Sequence, residues 1–305
     1  FPMGRRDVEN VLGRGGTLLG TSRQPFKLMT VADDGPSKLE KMCENYKKMG
    51  LDCLFTLGGA GTHKTAALLC MEGCNVIGLP KTIDNDIYGT DVTFGFQTAV
   101  EVATDAIDRI STTAESHGRT MLVEIMGNKA GWLTLHAGIA AGADMILIPE
   151  KPFSVDAVCE FVTKRRKSGK PYTMIAVAEG AVLASEAKFK KSERTFVRTA
   201  LGESTVTRHL AEILEERTGF ETRASVLGYL QRGGTPCAYD RLLSSRLGGF
   251  AAALAKEGKF GVTAAVSGNR ITFNALAEIA GKYKLVDPEG DIVRFAEDIG
   301  IGFGV

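Results

Sequence analysis

Between Leu51 and Leu79 the chain alternates twice between a short apolar run and a cluster of small or charged residues, and few folds accept that pattern. Leu51–Leu57 reads as a buried strand. Gly58-Gly59-Ala60-Gly61-Thr62 reads as a glycine turn opening a helix that runs through Thr65 to Met71, and Val76-Ile77-Gly78-Leu79 reads as the end of a second buried strand. Strand, helix, strand predicts parallel pairing, with both following loops at the carboxyl ends of their strands, where such sheets bind ligands. A glycine turn into a helix aims backbone N–H groups and the positive helix end at a phosphate. The second loop, Pro80-Lys81-Thr82-Ile83-Asp84-Asn85-Asp86, gathers a cation, a hydroxyl, two carboxylates and an amide after one proline. That is poor core material; it suits a site that holds a charged ligand and moves a proton, against the alternative of a solvated loop.

The same alternation continues. Lys38 onward is helical, with Leu39, Met42, Cys43, Tyr46 and Met49 on one face and Gly50 as C-cap. Phe96, Val100, Ala103, Ile107 and Ile110 line another helix. Met121–Ile125 is a strand followed by Met126-Gly127-Asn128-Lys129-Ala130-Gly131 and a helix to Ala141. Strands at Asp144–Ile148, Tyr172–Ala178 and Ala224–Leu227 alternate with helices at Val155–Arg166, Leu201–Arg217 and Tyr239–Lys256. The expected class is α/β, two doubly wound three-layer domains facing a cleft. Phe1–Arg14 shows no clear strand and no glycine-rich turn.

Composition narrows the function. Lys+Arg of 37 against Asp+Glu of 36 gives no global field for nucleic acid or membrane. No apolar run approaches the about 18 residues that span a bilayer. The six cysteines at 43, 53, 70, 74, 159 and 237 have neither CxxC nor framework spacing, so they read as reduced, mostly buried thiols of a cytoplasmic protein. Cys70 and Cys74 are spaced to share a helix face, a weak zinc pattern without histidine partners.

Four loops now stand in order: Gly58-Gly59-Ala60-Gly61-Thr62, Pro80–Asp86, Met126–Gly131 and Leu227-Gly228-Tyr229-Leu230-Gln231-Arg232-Gly233-Gly234. Together, from about Gly15 onward, they resemble the phosphofructokinase family. The first loop alone is shared with other kinases; the TIDND and QRGG loops together are specific. The resemblance implies phosphoryl transfer to the 1-hydroxyl of fructose 6-phosphate. It implies a donor-binding domain over 1–95, a sugar-phosphate domain over 96–231, a return to the donor domain over 232–283, and a segment 284–305 packing on the sugar-phosphate domain.

By the same resemblance Asp84 is the proton acceptor, Thr82 bonds the transferring group, and Lys81 joins them as a catalytic position. A carboxylate with a reference pKa of ~3.9 is ionised at neutral pH and takes a hydroxyl proton within hydrogen-bond reach. Asp86 is placed beside the metal–phosphate, suited to Mg²⁺ or its waters. Thr82, Ile83, Asp84, Arg119, Met126, Gly127, Asn128, Glu179, Arg223, Tyr229 and Arg232 map onto sugar-phosphate binding; Arg23, Gly59, Ala60, Gly61 and Thr62 map onto donor binding. Arginine suits phosphate through its two parallel charged hydrogen bonds. Arg119 and Arg223 match positions that reach a neighbouring subunit, implying a homodimer or homotetramer; singly, each also reads as a surface ion pair. Asn128 stands where many members have Arg, and Tyr229 where many have His.

Gly61 resembles ATP users, where pyrophosphate users place Asp; Lys81 resembles pyrophosphate users, where many ATP enzymes have Gly. An Asp at Gly61 would repel the nucleotide's α-phosphate, so ATP is the expected donor and pyrophosphate the alternative. Two departures point to impaired activity. Ala60 stands where members commonly carry a polar residue facing the metal–phosphate, and losing such a group costs on the order of a few kcal/mol of transition-state stabilisation. The family's first strand and glycine-rich turn are not recognisable here, so a non-catalytic fragment is the other expectation. The segment 183–203 looks inserted, and its Lys188, Lys190, Lys191 and Arg194 read as a solvated charge run or an effector site.

Overall fold

The computed structural model describes residues 2–22, 24–32, 35–190, 192–193 and 205–305. The chain divides into two units, Phe1–Gln97 with Gly233–Lys284, and Thr98–Arg232 with Leu285–Val305.

In the first unit, α1 (Lys38–Lys48) starts at a closed capping box: the Ser37 hydroxyl accepts from the Glu40 amide at 3.2 Å, and the Glu40 carboxylate accepts from the Ser37 amide at 2.6 Å. Leu39 and Cys43 are buried. Met49, expected on that face, is the C-cap and 69% exposed, because Gly50 turns the chain at φ +61°. β1 (Leu54–Gly58), α2 (Ala60–Met71) and β2 (Val76–Pro80) form the expected parallel unit. β2 pairs in parallel with β7 (Val262–Ser267), and β8 (Arg270–Ala275) runs back antiparallel, giving the order β1-β2-β7-β8. β2 is buried at every residue, as a strand flanked on both edges and both faces must be. β1 corrects the expectation of a buried strand over Leu51–Leu57. It starts at Leu54 on the edge of the described sheet, and Phe55 and Leu57 are 41% and 43% exposed. The α1–α2 side buries Leu39, Cys43, Ala66, Leu69 and Val76 together with Leu276 of α8 (Leu276–Ile279). α7 (Ala238–Lys256) packs along β2, β7 and β8.

The division between units falls inside α3 (Phe96–His117). The second unit then runs β3 (Thr120–Ile125), α4 (Trp132–Ala140), β4 (Met145–Leu147), α5 (Val155–Lys167), β5 (Thr173–Ala178), α6 (Val206–Thr218) and β6 (Thr222–Val226). Its sheet is wholly parallel in the order β4-β5-β3-β6. Met145, Leu147, Ile175 and Val177 face α5 and α6, while Ile146 and Ala176 face Gly138 of α4. Alternate residues point to opposite faces, so helices cover both sides and this unit is doubly wound. α6 begins later than the expected Leu201, since Thr205 is extended and its hydroxyl accepts from the Arg208 amide at 3.3 Å; residues 201–204 lie outside the described residues. α9 (Asp291–Asp298) precedes a final segment in which Gly302 donates to Asp144 O at 3.0 Å and accepts from the Ile146 amide at 2.9 Å.

All six cysteines are free, but only Cys43 and Cys74 are buried and the other four are half-buried, which corrects the expectation of mostly buried thiols. Cys74 lies past the end of α2 and shares no helix face with Cys70. Of the basic run, Lys188 and Lys190 are exposed, and Lys191 and Arg194 lie outside the described residues. Leu122 is fully buried in the central strand β3. Leu122→Ala is expected to lower stability by about 2–5 kcal/mol, read as a fall in the urea midpoint at unchanged m-value.

Candidate functional site

The first unit brings two loops side by side. β1 ends at Gly58, and Gly59 is the N-cap of α2 without any side chain to cap it. The first amides of the helix therefore point out of its end, with the helix dipole behind them. A Cβ at Gly58 would lie 2.1 Å from Thr62 Oγ1, so only glycine lets Thr62 fold back there. A Cβ at Gly61 would meet nothing within 4 Å, and one at Gly59 would sit 3.7 Å from the Cβ of Thr82. The Lys81 amide donates to Gly58 O at 3.1 Å, tying the second loop to the first. Thr82 Oγ1 accepts from the Asp84 amide at 3.1 Å, and Thr93 Oγ1 donates to Thr82 O at 2.7 Å. Lys81 is exposed, Thr82, Ile83 and Asp84 are half-buried, and Asp86 is 4% exposed.

His63, on the first turns of α2, is 2% exposed. Its Nδ1 lies 3.0 Å from Gly59 O and its Nε2 2.9 Å from Thr263 Oγ1 on β7. A carbonyl only accepts, so Nδ1 carries the proton and Nε2 accepts from the threonine. Gly78, midway along β2, makes room: a Cβ there would lie 2.8 Å from Thr263 Oγ1 and 3.3 Å from His63 Nε2. Burial pushes the His63 pKa below its ordinary value, against the Gly59 hydrogen bond that raises it. Further along the loop, Asn85 adopts φ +52°, and Lys284 reaches it from the far end of the unit with Nζ 3.1 Å from Asn85 Oδ1.

In the second unit, the loops after β3, β5 and β6 share one end of the sheet. Gly127 takes φ +146°, and a Cβ on it would lie 2.5 Å from Ala130 O. Glu179 Oε1 accepts from the amides of Gly127 at 3.3 Å and Asn128 at 2.7 Å. Gln231, 1% exposed, accepts from the Met126 amide at 3.1 Å and donates to Gly228 O at 3.1 Å. Glu150 accepts from the Gly131 amide at 2.9 and 3.1 Å and from the Val286 amide at 2.9 Å; burial raises its pKa against those bonds. On the outer side Asn128, Tyr229 and Arg232 are exposed, Tyr229 by 84%.

Arg119 and Arg223 are not part of this group. Arg119 immediately precedes β3, and Arg223 on β6 lies opposite Met121, so both sit at the amino end of the sheet. The six residues of β3 separate them from Met126 by about 20 Å. There Arg119 pairs with Glu221 at 2.8 Å, and Arg223 pairs with Glu221 and Glu215 at 2.7 Å each. The Arg119 hydrogen bond holds the Glu221 carboxyl below its ordinary value. Arg23 lies outside the described residues.

His63, Lys284, Gln231 and Glu150 brace these loops through hydrogen bonds, and motif reading assigned them no role of their own. Only Gln231 carried a signal, as part of QRGG. For a divalent cation the protein supplies little: among the described residues no three His, Cys, Asp or Glu side chains converge as ligands. The second loop offers two carboxylates, Asp84 half-buried and Asp86 4% exposed, and a Mg²⁺ that arrives on phosphates with its waters needs one or two such groups from protein. No helix among the described residues is long and apolar enough to cross a membrane.

Comparison with known proteins gives one answer. The phosphofructokinase family model matches residues 1–255. An ATP-dependent 6-phosphofructokinase of Spirochaeta thermophila is 50% identical over 303 residues, covering 98% of this chain and 83% of that protein. A pyrophosphate–fructose 6-phosphate 1-phosphotransferase of Amycolatopsis methanolica is 47% identical over 292 residues, covering 94% and 82%. Among solved structures, phosphofructokinase from Saccharomyces cerevisiae superposes with a TM-score of 0.77 at 30% identity, over 91% of this chain and 38% of that one.

The His63 bridge carries a pH dependence. A base whose folded pKa lies below its unfolded value supports the fold fully above the unfolded value of 6.5 and loses that support as pH falls toward the folded one. The melting temperature is expected to drop between pH 7 and pH 5 more steeply in the native chain than in His63→Asn, whose amide keeps a donor near Gly59 O. Equal slopes would sink this assignment.

Proposed function

The chain belongs to the phosphofructokinase family, and from that premise we propose that it transfers the γ-phosphoryl group of ATP to the 1-hydroxyl of fructose 6-phosphate, yielding fructose 1,6-bisphosphate and ADP in glycolysis. The observation that carries the reading is the pairing in the first unit of an uncapped helix end with the Thr82–Asp84 loop, joined through Lys81 and Gly58. A helix end collects phosphates, and a carboxylate beside a hydroxyl serves proton and phosphoryl.

In this mechanism the amides of Gly59, Ala60, Gly61 and Thr62 hold donor phosphates. Asp84 accepts the proton of the 1-hydroxyl as its oxygen bonds to the γ-phosphorus and the bond to the β-phosphate oxygen breaks. Thr82 and Lys81 hold the oxygens of the group in transit. The backbone tie between Asp84 N and Thr82 Oγ1 keeps the threonine hydroxyl's proton available for those oxygens. A bound Mg²⁺ would supply charge neutralisation on the phosphates, and Asp86 would be the residue that holds it or its waters, since Ala60 offers no carboxylate. Met126, Gly127, Asn128, Glu179, Tyr229 and Arg232 bind the sugar phosphate, with Ile83 alongside. Glu179 already spends Oε1 on the loop amides, so its second oxygen is the one left to meet sugar hydroxyls.

Arg119 and Arg223 lie at the wrong end of their own sheet for that ligand. Their place in the reading is the site of a second copy, which supports a homodimer or homotetramer. Cytoplasmic location fits six free thiols. ATP is the preferred donor: the empty space at Gly61 leaves room for a nucleotide's α-phosphate, while Lys81 favours either donor.

Asp84→Asn is expected to lower kcat on the order of 10²–10⁴-fold with little change in KM for fructose 6-phosphate, measured by coupled assay at pH 7.5. Turnover with ATP is expected to exceed turnover with pyrophosphate under matched Mg²⁺; activity with pyrophosphate alone would overturn the donor assignment.

A further inference from the structure

Lys284 ends the first unit, far in sequence from the loop it touches. Its Nζ lies 3.1 Å from Asn85 Oδ1, 2.9 Å from Thr90 O and 2.7 Å from Asp91 O. Three acceptors match the three hydrogens of an ammonium group. Its own amide donates to Asp86 O at 2.9 Å, so one residue grips the chain on both sides of the turn that follows Asp84. That turn needs gripping. Asn85 is a non-glycine residue at φ +52°, a conformation that surrounding contacts must impose. Its Oδ1 also accepts from the Thr93 amide at 3.1 Å, and Thr93 Oγ1 in turn donates to Thr82 O. The path from Lys284 to the Thr82–Asp84 pair is thus a continuous set of hydrogen bonds.

We propose that Lys284 is a positioning residue for phosphoryl transfer, which holds Asp84 and Thr82 in register through Asn85 and the Thr90 and Asp91 carbonyls without touching substrate. The inference rests on the reading of Asp84 and Thr82 given above. Without the ammonium, Asn85 Oδ1 and the Thr90 and Asp91 carbonyls lose the donor they share.

The test uses the full chain as the native protein, Lys284→Met and Lys284→Arg. It measures kcat, KM for fructose 6-phosphate, melting temperature, and amide exchange protection over residues 83–94 at pH 7. Lys284→Met is expected to fold, to lose about tenfold or more in kcat and in loop protection, and to keep KM within about twofold. Lys284→Arg, which keeps the charge and the donors, should restore most of kcat and of loop protection. Unchanged protection and kcat in Lys284→Met, or losses in Lys284→Arg as large as those in Lys284→Met, would overturn the proposal. If Lys284→Met does not fold, Asn85→Gly, which removes the acceptor and tolerates the left-handed backbone, takes its place with the same expected losses. If the native chain transfers no phosphoryl group, the proposed function fails, and the exchange data still decide whether Lys284 orders the loop.

Discussion

A loop that leaves a parallel strand carries amides and carbonyls for which the sheet offers no further partner, and buried backbone groups must be bonded. Both units meet that demand with side chains that reach the loop from elsewhere. Glu179 and Gln231 take the amides of Gly127, Asn128 and Met126. Glu150 takes those of Gly131 and Val286. His63 serves Gly59, and Asn85 serves Thr93. The loops are thereby fixed from behind, and their outer residues, Lys81, Asn128, Tyr229 and Arg232 among them, remain exposed. Held this way, the polar groups need little reordering when a ligand arrives, which is where a binding site gains most of its precision.

Glycine completes the same scheme by subtraction. A Cβ at Gly180 would lie 2.2 Å from Asn128 O, and one at Gly131 would lie 2.5 Å from the Cβ of Ile148 and 2.7 Å from Glu150 Oε2. These are positions where backbone and brace approach too closely for any side chain. The clusters of glycine after apolar runs follow from that crowding, and not from turn geometry alone.

The architecture was legible because interior parallel strands are buried on both faces and read as unbroken apolar runs: β2, β3 and β5 are buried at every residue. The reading slipped where that condition fails. β1 lies on an edge of the described sheet, and the Thr205 cap begins α6 in a stretch that looks helical from its apolar spacing alone. The hairpin β7–β8 carries no alternating pattern to read: β7 is buried at every residue but Ser267, and β8 has no buried residue. In the loops, the groups that would meet ligands lie in contiguous motifs and could be read off. Their braces could not. His63 and Thr263 are 200 residues apart, Lys284 and Asn85 are 199 apart, and Gln231 and Met126 are 105 apart. A contact made only by the fold leaves no local pattern.

The separation of Arg119 and Arg223 from the Met126–Asn128 loop by the length of β3 has a genetic consequence in the assembly we propose. Each copy would own the carboxyl-end half of one site and lend the amino-end half of another. A lesion at Arg223 would then be felt in the neighbour, not in the chain that carries it. Two defective alleles, one damaged at each end of the sheet, would complement each other to give one working site per pair. Dominance among variants of such a protein would follow the position of a residue along a strand.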